Sequence, residues 1–347
     1  MRATTADIAY LNQQYCNRYP FHGELHDHAS TGGTSDGACD LKQWRADMDM
    51  LGLDFATILD HKQVRHMYLP EWEDGFFLGG TEPATRILDS KAEDIRIHYN
   101  MIFANPKQLE ALLEVFEEFE FTGGSEGHFI YPRFQTSRFN ELIDTVKRYG
   151  GFFVHPHPKQ LMVSENPEDY LFQEETGIEV FYESMESQYT NENYKLWTDL
   201  LGLGKRVWAC AGCDLHDRAS VTALTTIYAE KHSSEAYVKH LRKGDFVCGP
   251  VGIRMCIGDT LMGGQCDFAG EKLICSIGDF HKSVANNDHT YCVKLISDAG
   301  VLFSENIDCS TTTYLAFETG NAKYYRLEVF DTTRDFRIAI GNPIWNQ

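Results

Sequence analysis

The chain has 347 residues, with 31 Lys plus Arg against 51 Asp plus Glu, a formal net charge of −20. Because nucleic acids and anionic membranes bind to basic surfaces, this acidic charge predicts that neither is a partner. With 43% hydrophobic and 24% charged residues, and no apolar run near the ~20 residues of a membrane span, the composition is typical of a folded two-domain protein. The polar N-terminus has no apolar leader segment, so we expect a cytoplasmic location.

The first 248 residues alternate short apolar strands with helical segments. In residues 106–120, Leu109, Leu112, Leu113 and Phe116 share one helical face. This alternation indicates an α/β barrel or a doubly wound sheet. The predicted strands are residues 24–28, 55–61, 76–82, 97–104, 152–155, 177–182 and 207–214, and the predicted helices are residues 106–120, 140–148, 191–203 and 233–242.

The last hundred residues have a different pattern of predicted secondary structure. Short strands follow one another at close spacing, turn residues separate them, and no clear helix lies between them. We therefore predict a small all-β sandwich over residues 249–347, with the boundary at Cys248-Gly249-Pro250. The predicted strands are residues 251–258, 272–278, 290–296, 301–305, 311–317, 323–330 and 336–340.

The ten cysteines are expected to be reduced core thiols, since a long chain without an export signal does not need a disulfide framework. Cys210 and Cys213 have the spacing of a redox pair. A redox pair should open a helix, whereas this one lies inside the apolar segment 206–214, so we interpret both as small buried side chains.

Two pairs of histidines have the spacing of metal ligands. His26 and His28 are alternate residues at a predicted strand end, so both imidazoles project to one side and can bind one ion. His155 and His157 repeat this arrangement after the strand 152–155. About half of one such pair is expected by chance in a chain with 14 histidines, so the pairs indicate a site only together with other residues.

Other polar groups also follow predicted strands. Asp60 and His61 end one strand, Glu82 ends another, and Asp214 and His216 follow a third. In α/β barrels the carboxyl ends of the strands build the active site. The pattern therefore predicts that these side chains converge on one site.

The order of these motifs resembles the PHP (polymerase and histidinol phosphatase) superfamily of metallohydrolases over residues 20–245. The tail, with Tyr324 to Glu328 and Asn342 to Trp345, is similar to the closing β-domain of two-domain members, a branch that includes carbaryl-hydrolase-like proteins and phosphoesterases. The matching motifs are Glu24-Leu25-His26-Asp27-His28, Ser35-Asp36-Gly37, Leu59-Asp60-His61, Gly80-Thr81-Glu82, His98, His155-Pro156-His157 and Asp214-Leu215-His216.

The resemblance implies a distorted (β/α)7 barrel over residues 1–248 that holds two or three divalent ions. The mixed nitrogen and oxygen donors suit Zn²⁺, Mn²⁺ or Fe²⁺ better than Mg²⁺ or Ca²⁺ alone. The implied ligands are His26, His28, Glu82 and Asp214 for one ion, Glu82, His98 and His155 for a second, and Asp36, His61 and His216 for a third.

Five further residues are candidates for substrate contact or proton transfer. Asp60 is expected to handle a proton or to support a ligand, and His157 to contact substrate or protonate the leaving group. The cations predicted to neutralise a phosphate are Lys159, Arg218 and Arg133.

Clustered divalent ions supply hydroxide at neutral pH, so the expected activity is that of a metal-dependent phosphoesterase acting on a small phosphorylated molecule. The same site could hydrolyse a carboxyl ester or a carbamate instead. A third hypothesis is a non-catalytic binding protein whose barrel is a relic. The expected partner is a small molecule and not a nucleic acid or membrane, and an oligomer is possible.

Overall fold

The computed structural model describes residues 1–90, 95–123, 127–162 and 164–347. Within these ranges the helices are α1 (Thr5–Gln14), α2 (Leu41–Leu51), α3 (Pro106–Val115), α4 (Thr136–Arg148), α5 (Pro158–Leu161), α6 (Gln188–Gly202) and α7 (Ser234–Leu241). Single 3₁₀ turns lie at Arg65–Tyr68, Glu117–Phe119 and Pro167–Tyr170.

The described strands form four sheets. Those up to residue 248 are β1 (Tyr19–Gly23), β2 (Ala56–Ile58), β3 (Phe77–Thr81), β4 (Ala84–Ile87), β5 (Arg96–His98), β6 (Asn100–Phe103), β7 (Arg133–Phe134), β8 (Phe152–His155), β9 (Gly177–Tyr182), β10 (Trp208–Gly212), β11 (Thr225–Ala229) and β12 (Phe246–Cys248). Those that follow are β13 (Val251–Ile257), β14 (Thr260–Leu261), β15 (Gln265–Cys266), β16 (Lys272–Phe280), β17 (Tyr291–Ser297), β18 (Gly300–Ile307), β19 (Thr313–Glu318), β20 (Tyr324–Asp331), β21 (Phe336–Gly341) and β22 (Ile344–Asn346).

A curled six-stranded sheet, in the order β10-β9-β8-β6-β3-β2, carries the site. Its outer pairs are parallel, while β6 runs antiparallel to both neighbours. Single bridges from Asp27 to Ile58 and to Leu215 connect the two edges of the sheet. The fold is therefore mixed α/β with a partly closed sheet. The distorted (β/α)7 repeat stays a prediction, since β6 runs antiparallel to β3 and β8 within this sheet.

The helices pack apolar faces against this sheet. Asp40 caps α2 through a capping box with Gln43, and Gly52 ends the helix in the left-handed conformation that glycine adopts without strain. On α4, Phe139, Leu142 and their neighbours are buried. Since these helices cover the outer face, the polar strand ends are left at one rim.

The predicted strand 97–104 divides into two. β6 stays in the six-stranded sheet, whereas β5 pairs antiparallel with β4, which pairs parallel with β7. Tyr99 lies between β5 and β6 and is fully buried. The strand divides here because the chain passes from one sheet to another, and the small sheet β5-β4-β7 lies beside the rim.

Strands on both sides of residue 248 share one large sheet, whose main path is β1-β11-β12-β21-β20-β17-β18. A four-stranded antiparallel sheet, β14-β13-β16-β19, belongs to the second half alone. Buried side chains such as Ile253 and Leu327 fill the core of this half. The all-β character predicted for the second half is present, while a domain boundary at 248 stays a prediction.

All ten cysteines are free, and the pair Cys210 and Cys213 is buried in and just after β10. Burial raises the pKa of both thiols well above the usual value, so they remain protonated. Among the described helices none is long and apolar enough to cross a membrane.

Candidate metal centre

One buried carboxylate, Glu82, meets five imidazole rings. It directly follows β3 and is 1% exposed, and its backbone N–H donates to the carbonyl of Leu59 at 3.0 Å. The five contacts are His98 Nδ1 at 2.9 Å and His157 Nε2 at 3.1 Å from Oε1, and His26 Nε2 at 3.2 Å, His28 Nε2 at 3.3 Å and His61 Nδ1 at 3.4 Å from Oε2.

The donor atoms fall into three groups, and within each group all atoms lie within 4.8 Å of one another. Glu82 belongs to two of the groups, and His28 also belongs to two. The groups are His26, His28, Glu82 and Asp214; Glu82, His98 and His157; and His28, Asp36, His61 and His216.

Strand ends bring these residues together. Glu82 follows β3, His61 follows β2 and Asp214 follows β10, and their strands are members of the same curled sheet. His26 and His28 lie on the segment that bridges both sheet edges. Parallel strands of one sheet end on the same side, so the polar residues that follow them lie at one rim, as predicted.

Three residues in or next to the candidate centre have left-handed backbone. His157 has φ 29°, Asp214 has φ 54° and Lys62, next to His61, has φ 56°. Side chains other than glycine rarely adopt such angles, which cost of order 1–3 kcal/mol where sparsely populated. Strain of this kind concentrates at functional sites.

Carboxylates and imidazoles stabilise one another's charges in the centre. Burial favours neutral His26, but Glu179 and Asp214 outweigh it and hold the pKa of His26 well above its usual value. Asp214 and Glu82 likewise raise the pKa of His28 to about 9 against the effect of burial. Burial would raise the pKa of Glu82, yet the surrounding imidazoles hold it well below its usual value.

The chemistry of the donors fits divalent cations. Buried imidazole nitrogens of His26, His28, His98 and His157 have no hydrogen-bond partner among the described residues, and the same holds for His66 and for Nε2 of His155. Buried polar atoms are rarely left in this state. Imidazole nitrogen and carboxylate oxygen around one point are the ligands that Zn²⁺, Mn²⁺ and Fe²⁺ accept.

The second group contains His157 where the sequence predicted His155. His155 ends β8 and its ring packs against Phe153 and Phe172, with centroids 5.0 and 4.8 Å away. Burial lowers its pKa to about 3. Among the described residues it joins none of the three groups. The chain turns after β8, so the side chain two residues later reaches Glu82.

Two residues that hold candidate ligands in place were not predicted from the sequence. Glu179 Oε1 lies 2.9 Å from His26 Nδ1, and its Oε2 accepts the backbone N–H of His157 at 2.8 Å. Tyr182 donates to Asp214 Oδ2 at 3.0 Å. A carboxylate within the apolar strand residues 177–182 was the available signal for Glu179, because an unpaired buried charge is costly.

Asp60 lies behind the centre. It is fully buried and accepts hydrogen bonds from the backbone N–H of Ala29 at 2.9 Å, from the Thr31 hydroxyl and from Gln63 Nε2 at 3.2 Å. These contacts fix the segment that follows His28. Of the two roles predicted for Asp60, the geometry favours support of a ligand segment.

The three predicted phosphate-binding cations lie in different surroundings. Arg218 pairs with Asp47 through both its Nε and Nη2 atoms. Lys159 is half-buried on α5, and its backbone N–H donates to Asn193. Arg133 lines a cleft beside the centre together with Arg86 and Arg96. Only the last of these arrangements places several cations together.

Together the curled sheet and the three donor groups define a candidate centre for divalent metal ions. The chain matches no family model and no curated protein. The resemblance to the PHP superfamily and to its two-domain branch therefore stays a prediction from the sequence motifs.

Similar solved structures include the following three. One is a candidate metal-dependent phosphoesterase from Bifidobacterium adolescentis, 17% identical, with a TM-score of 0.34 over 56% of this chain and 87% of the other. Endonuclease Q from Pyrococcus furiosus is 15% identical, with a TM-score of 0.45 over 65% of this chain and 56% of that one. Endonuclease Q bound to a 27-mer duplex with an abasic lesion is 12% identical, with a TM-score of 0.43 over 65% and 57% of the two chains.

The prediction of a small-molecule partner and no nucleic acid is contradicted by these neighbours, two of which are endonucleases, one with a duplex bound. The physical reason is that the net charge of −20 averages over the whole surface. A locally basic surface, here the cleft with Arg86, Arg96 and Arg133, is hidden by such an average.

Proposed function

We propose that this protein is a metal-dependent phosphoesterase. The observation that carries the proposal is Glu82, a buried carboxylate in contact with five imidazoles and shared by two donor groups. A carboxylate in this position would serve as a ligand in both groups, and paired cations would supply the charge stabilisation that displacement at phosphorus needs.

The ligands we assign follow the donor groups. His157 takes the place predicted for His155, and His28 faces both the first and the third group. The proposed sets are His26, His28, Glu82 and Asp214 for the first ion, Glu82, His98 and His157 for the second, and Asp36, His61 and His216 for the third.

Divalent ions in these positions would lower the pKa of a coordinated water and polarise the phosphate oxygens. The chain's own residues orient the ligands. Glu179 accepts a hydrogen bond from Nδ1 of His26, which leaves Nε2 directed at Glu82. Tyr182 holds one oxygen of Asp214, so the other stays beside His28 at 3.1 Å.

The test is turnover by protein that has been stripped with a chelator and reloaded separately with Mn²⁺, Zn²⁺ or Fe²⁺. We expect hydrolysis of phosphodiesters or phosphomonoesters with at least one metal and none in the stripped protein. Substrates should include 4-nitrophenyl phosphate, bis(4-nitrophenyl) phosphate and single-stranded DNA. Turnover of aryl carboxyl esters without any phosphoester turnover would reject the proposal in favour of ester hydrolysis.

A further inference from the structure

Three arginines lie opposite one another across the sheet β5-β4-β7. Arg86 pairs in register with Arg96 on β5 and with Arg133 on β7. All three are exposed, whereas Ile87 and Ile97, the next residues along β4 and β5, are buried. Because side chains alternate along a strand, the three guanidinium groups share the solvent face.

These arginines line a cleft of about 300 Å³ together with Tyr131. The guanidinium carbon of Arg96 lies 5.6 Å from the centroid of the Tyr131 ring, and Lys62 Nζ lies 4.5 Å from it. Tyr131 is 38% exposed. The cleft thus combines three arginines with a solvent-accessible tyrosine, and Lys62 lies beside the tyrosine ring.

The cleft adjoins the metal centre. Arg96 and His98 are alternate residues of β5 and therefore project from one face, with Cα atoms roughly 7 Å apart. Lys62 directly follows His61. Burial raises the pKa of Tyr131, and the carboxylate of Glu82 adds to this rise against the effect of Arg96. A ligand in the cleft would therefore extend towards Glu82.

The row of cations is longer than one phosphate group. Neighbouring strands are about 4.8 Å apart, so the outer two arginines are separated by roughly 10 Å. Proteins that bind single strands use a cationic groove with aromatic side chains on which bases stack.

We propose that Arg86, Arg96, Arg133 and Tyr131 bind the phosphodiester backbone of a single nucleic acid strand, with a neighbouring phosphate of that strand at the metal centre. Placement of the reacting phosphate rests on the proposed function. Binding in the cleft can be measured without turnover.

The first experiment measures binding. A fluorescent single-stranded DNA of 12 nucleotides is titrated with the metal-stripped full-length protein at several salt concentrations, with fluorescence anisotropy as the readout. We expect Arg86→Gln/Arg96→Gln/Arg133→Gln to weaken binding at least tenfold. The slope of log K against log salt should fall by about 2, since each phosphate contact with a single strand contributes roughly 0.7.

The control has the same charge change elsewhere. Lys195, Lys231 and Lys272 are exposed cations with side chains 76%, 63% and 47% accessible. Their triple substitution by Gln should change affinity less than twofold. Equal loss in both triple variants would overturn the proposal. If the triple arginine variant does not fold, Arg133→Gln alone should lower the slope of log K against log salt by about 0.7. An unchanged slope in Arg133→Gln would overturn the proposal.

The second experiment measures turnover by the Mn²⁺-loaded protein. The cleft variant should raise KM for the oligonucleotide at least tenfold, whereas the Lys195→Gln/Lys231→Gln/Lys272→Gln variant should change it less than twofold. Competition by a nucleoside 3′,5′-bisphosphate as strong as that of the 12-mer would overturn the strand proposal in favour of a doubly phosphorylated small molecule. Wild-type binding without any phosphoester turnover would reject the proposed function but leave the cleft assignment standing.

Discussion

Glu82 illustrates how much one side chain can organise. Its two oxygens contact five imidazoles, and His98 and His157 meet the oxygen opposite to the one that meets His26. Each oxygen therefore belongs to a different donor group. Removal of the charge should affect both groups at once, because no other described carboxylate belongs to two of them.

The variant Glu82→Gln should lose bound metal at two positions and reduce phosphoester turnover by more than about 100-fold. Removing a hydrogen-bond partner of a metal ligand typically lowers metal affinity or activity 10–100-fold, and removing a shared ligand should lower them further. Elemental analysis and kinetics measure both effects. Glu114→Gln, on the exposed side of α3, is the matched control. Full metal content in Glu82→Gln would contradict the shared-ligand assignment.

His155 and His157 provide a matched pair of histidines. Only His157 reaches Glu82, while His155 packs between Phe153 and Phe172. We expect His157→Leu to lower the metal content by about one ion and to abolish turnover. His155→Leu should keep metal and activity, because leucine suits an aromatic pocket. The reverse outcome, loss of metal only in His155→Leu, would restore the assignment made from sequence.

At the level of elements, β1 joins the centre to the β-rich half. His22 on β1 lies 5.4 Å from the ring of His281, which follows β16. The Nδ1 atom of His22 is 2.9 Å from the Thr226 hydroxyl on β11, and the backbone N–H of His22 donates to Asp54. Burial, aided by His281, lowers the pKa of His22 to about 3. Protonation of this ring therefore opposes folding.

This pKa gives a stability prediction with a defined sign. An unfolded histidine titrates near 6.5, so the folded state loses stability as pH falls below that value. We expect His22 to contribute about 1–2 kcal/mol of the stability lost between pH 7.5 and 5.0. In His22→Gln that loss should shrink accordingly, as measured by urea unfolding at both values. His128→Gln, at an exposed position, should retain the wild-type difference, and an unchanged difference in His22→Gln would contradict the argument.

Element boundaries depended on how residues are partnered. Residues 152–155 and 177–182 form strands with the predicted bounds, since both are short apolar runs between turn residues. Residues 24–28 make only single bridges, because β1 ends at Gly23. The three-stranded sheet with β4 and β7 was not predicted. Such short strands have no periodicity to reveal them, and their pairing is decided by distant residues.

The two halves of the molecule are joined by strand pairing and by Asn342. β12 pairs with β21 across residue 248. Asn342 is fully buried, and its side chain accepts the backbone N–H of Ala209 at 2.8 Å and donates to the carbonyl of Phe246 at 3.2 Å. This residue begins the Asn-Pro-Ile-Trp segment of the tail, so that segment has a defined structural role.

Replacement of Asn342 by leucine should lower the free energy of unfolding by about 2–3 kcal/mol. Leucine would leave the N–H of Ala209 buried without a partner, which costs about 1–3 kcal/mol by itself. Urea denaturation measures the change. Asn306→Leu, at an exposed position of β18, should alter it by less than about 0.5 kcal/mol. Equal effects of the two substitutions would show that the side-chain hydrogen bonds of Asn342 contribute nothing.

The sequence by itself determined the alternation of strands and helices, the all-β second half and the histidines and carboxylates of the centre. These features are local, because periodicity and strand ends follow from neighbouring residues. Only the tertiary structure decided that His157 rather than His155 reaches Glu82 and that Arg218 is paired with Asp47. It also decided that three arginines align across one small sheet of a chain whose net charge is −20. The physical reason is that side-chain direction after a turn and pairing between distant strands depend on residues far apart in the chain, which no local pattern records.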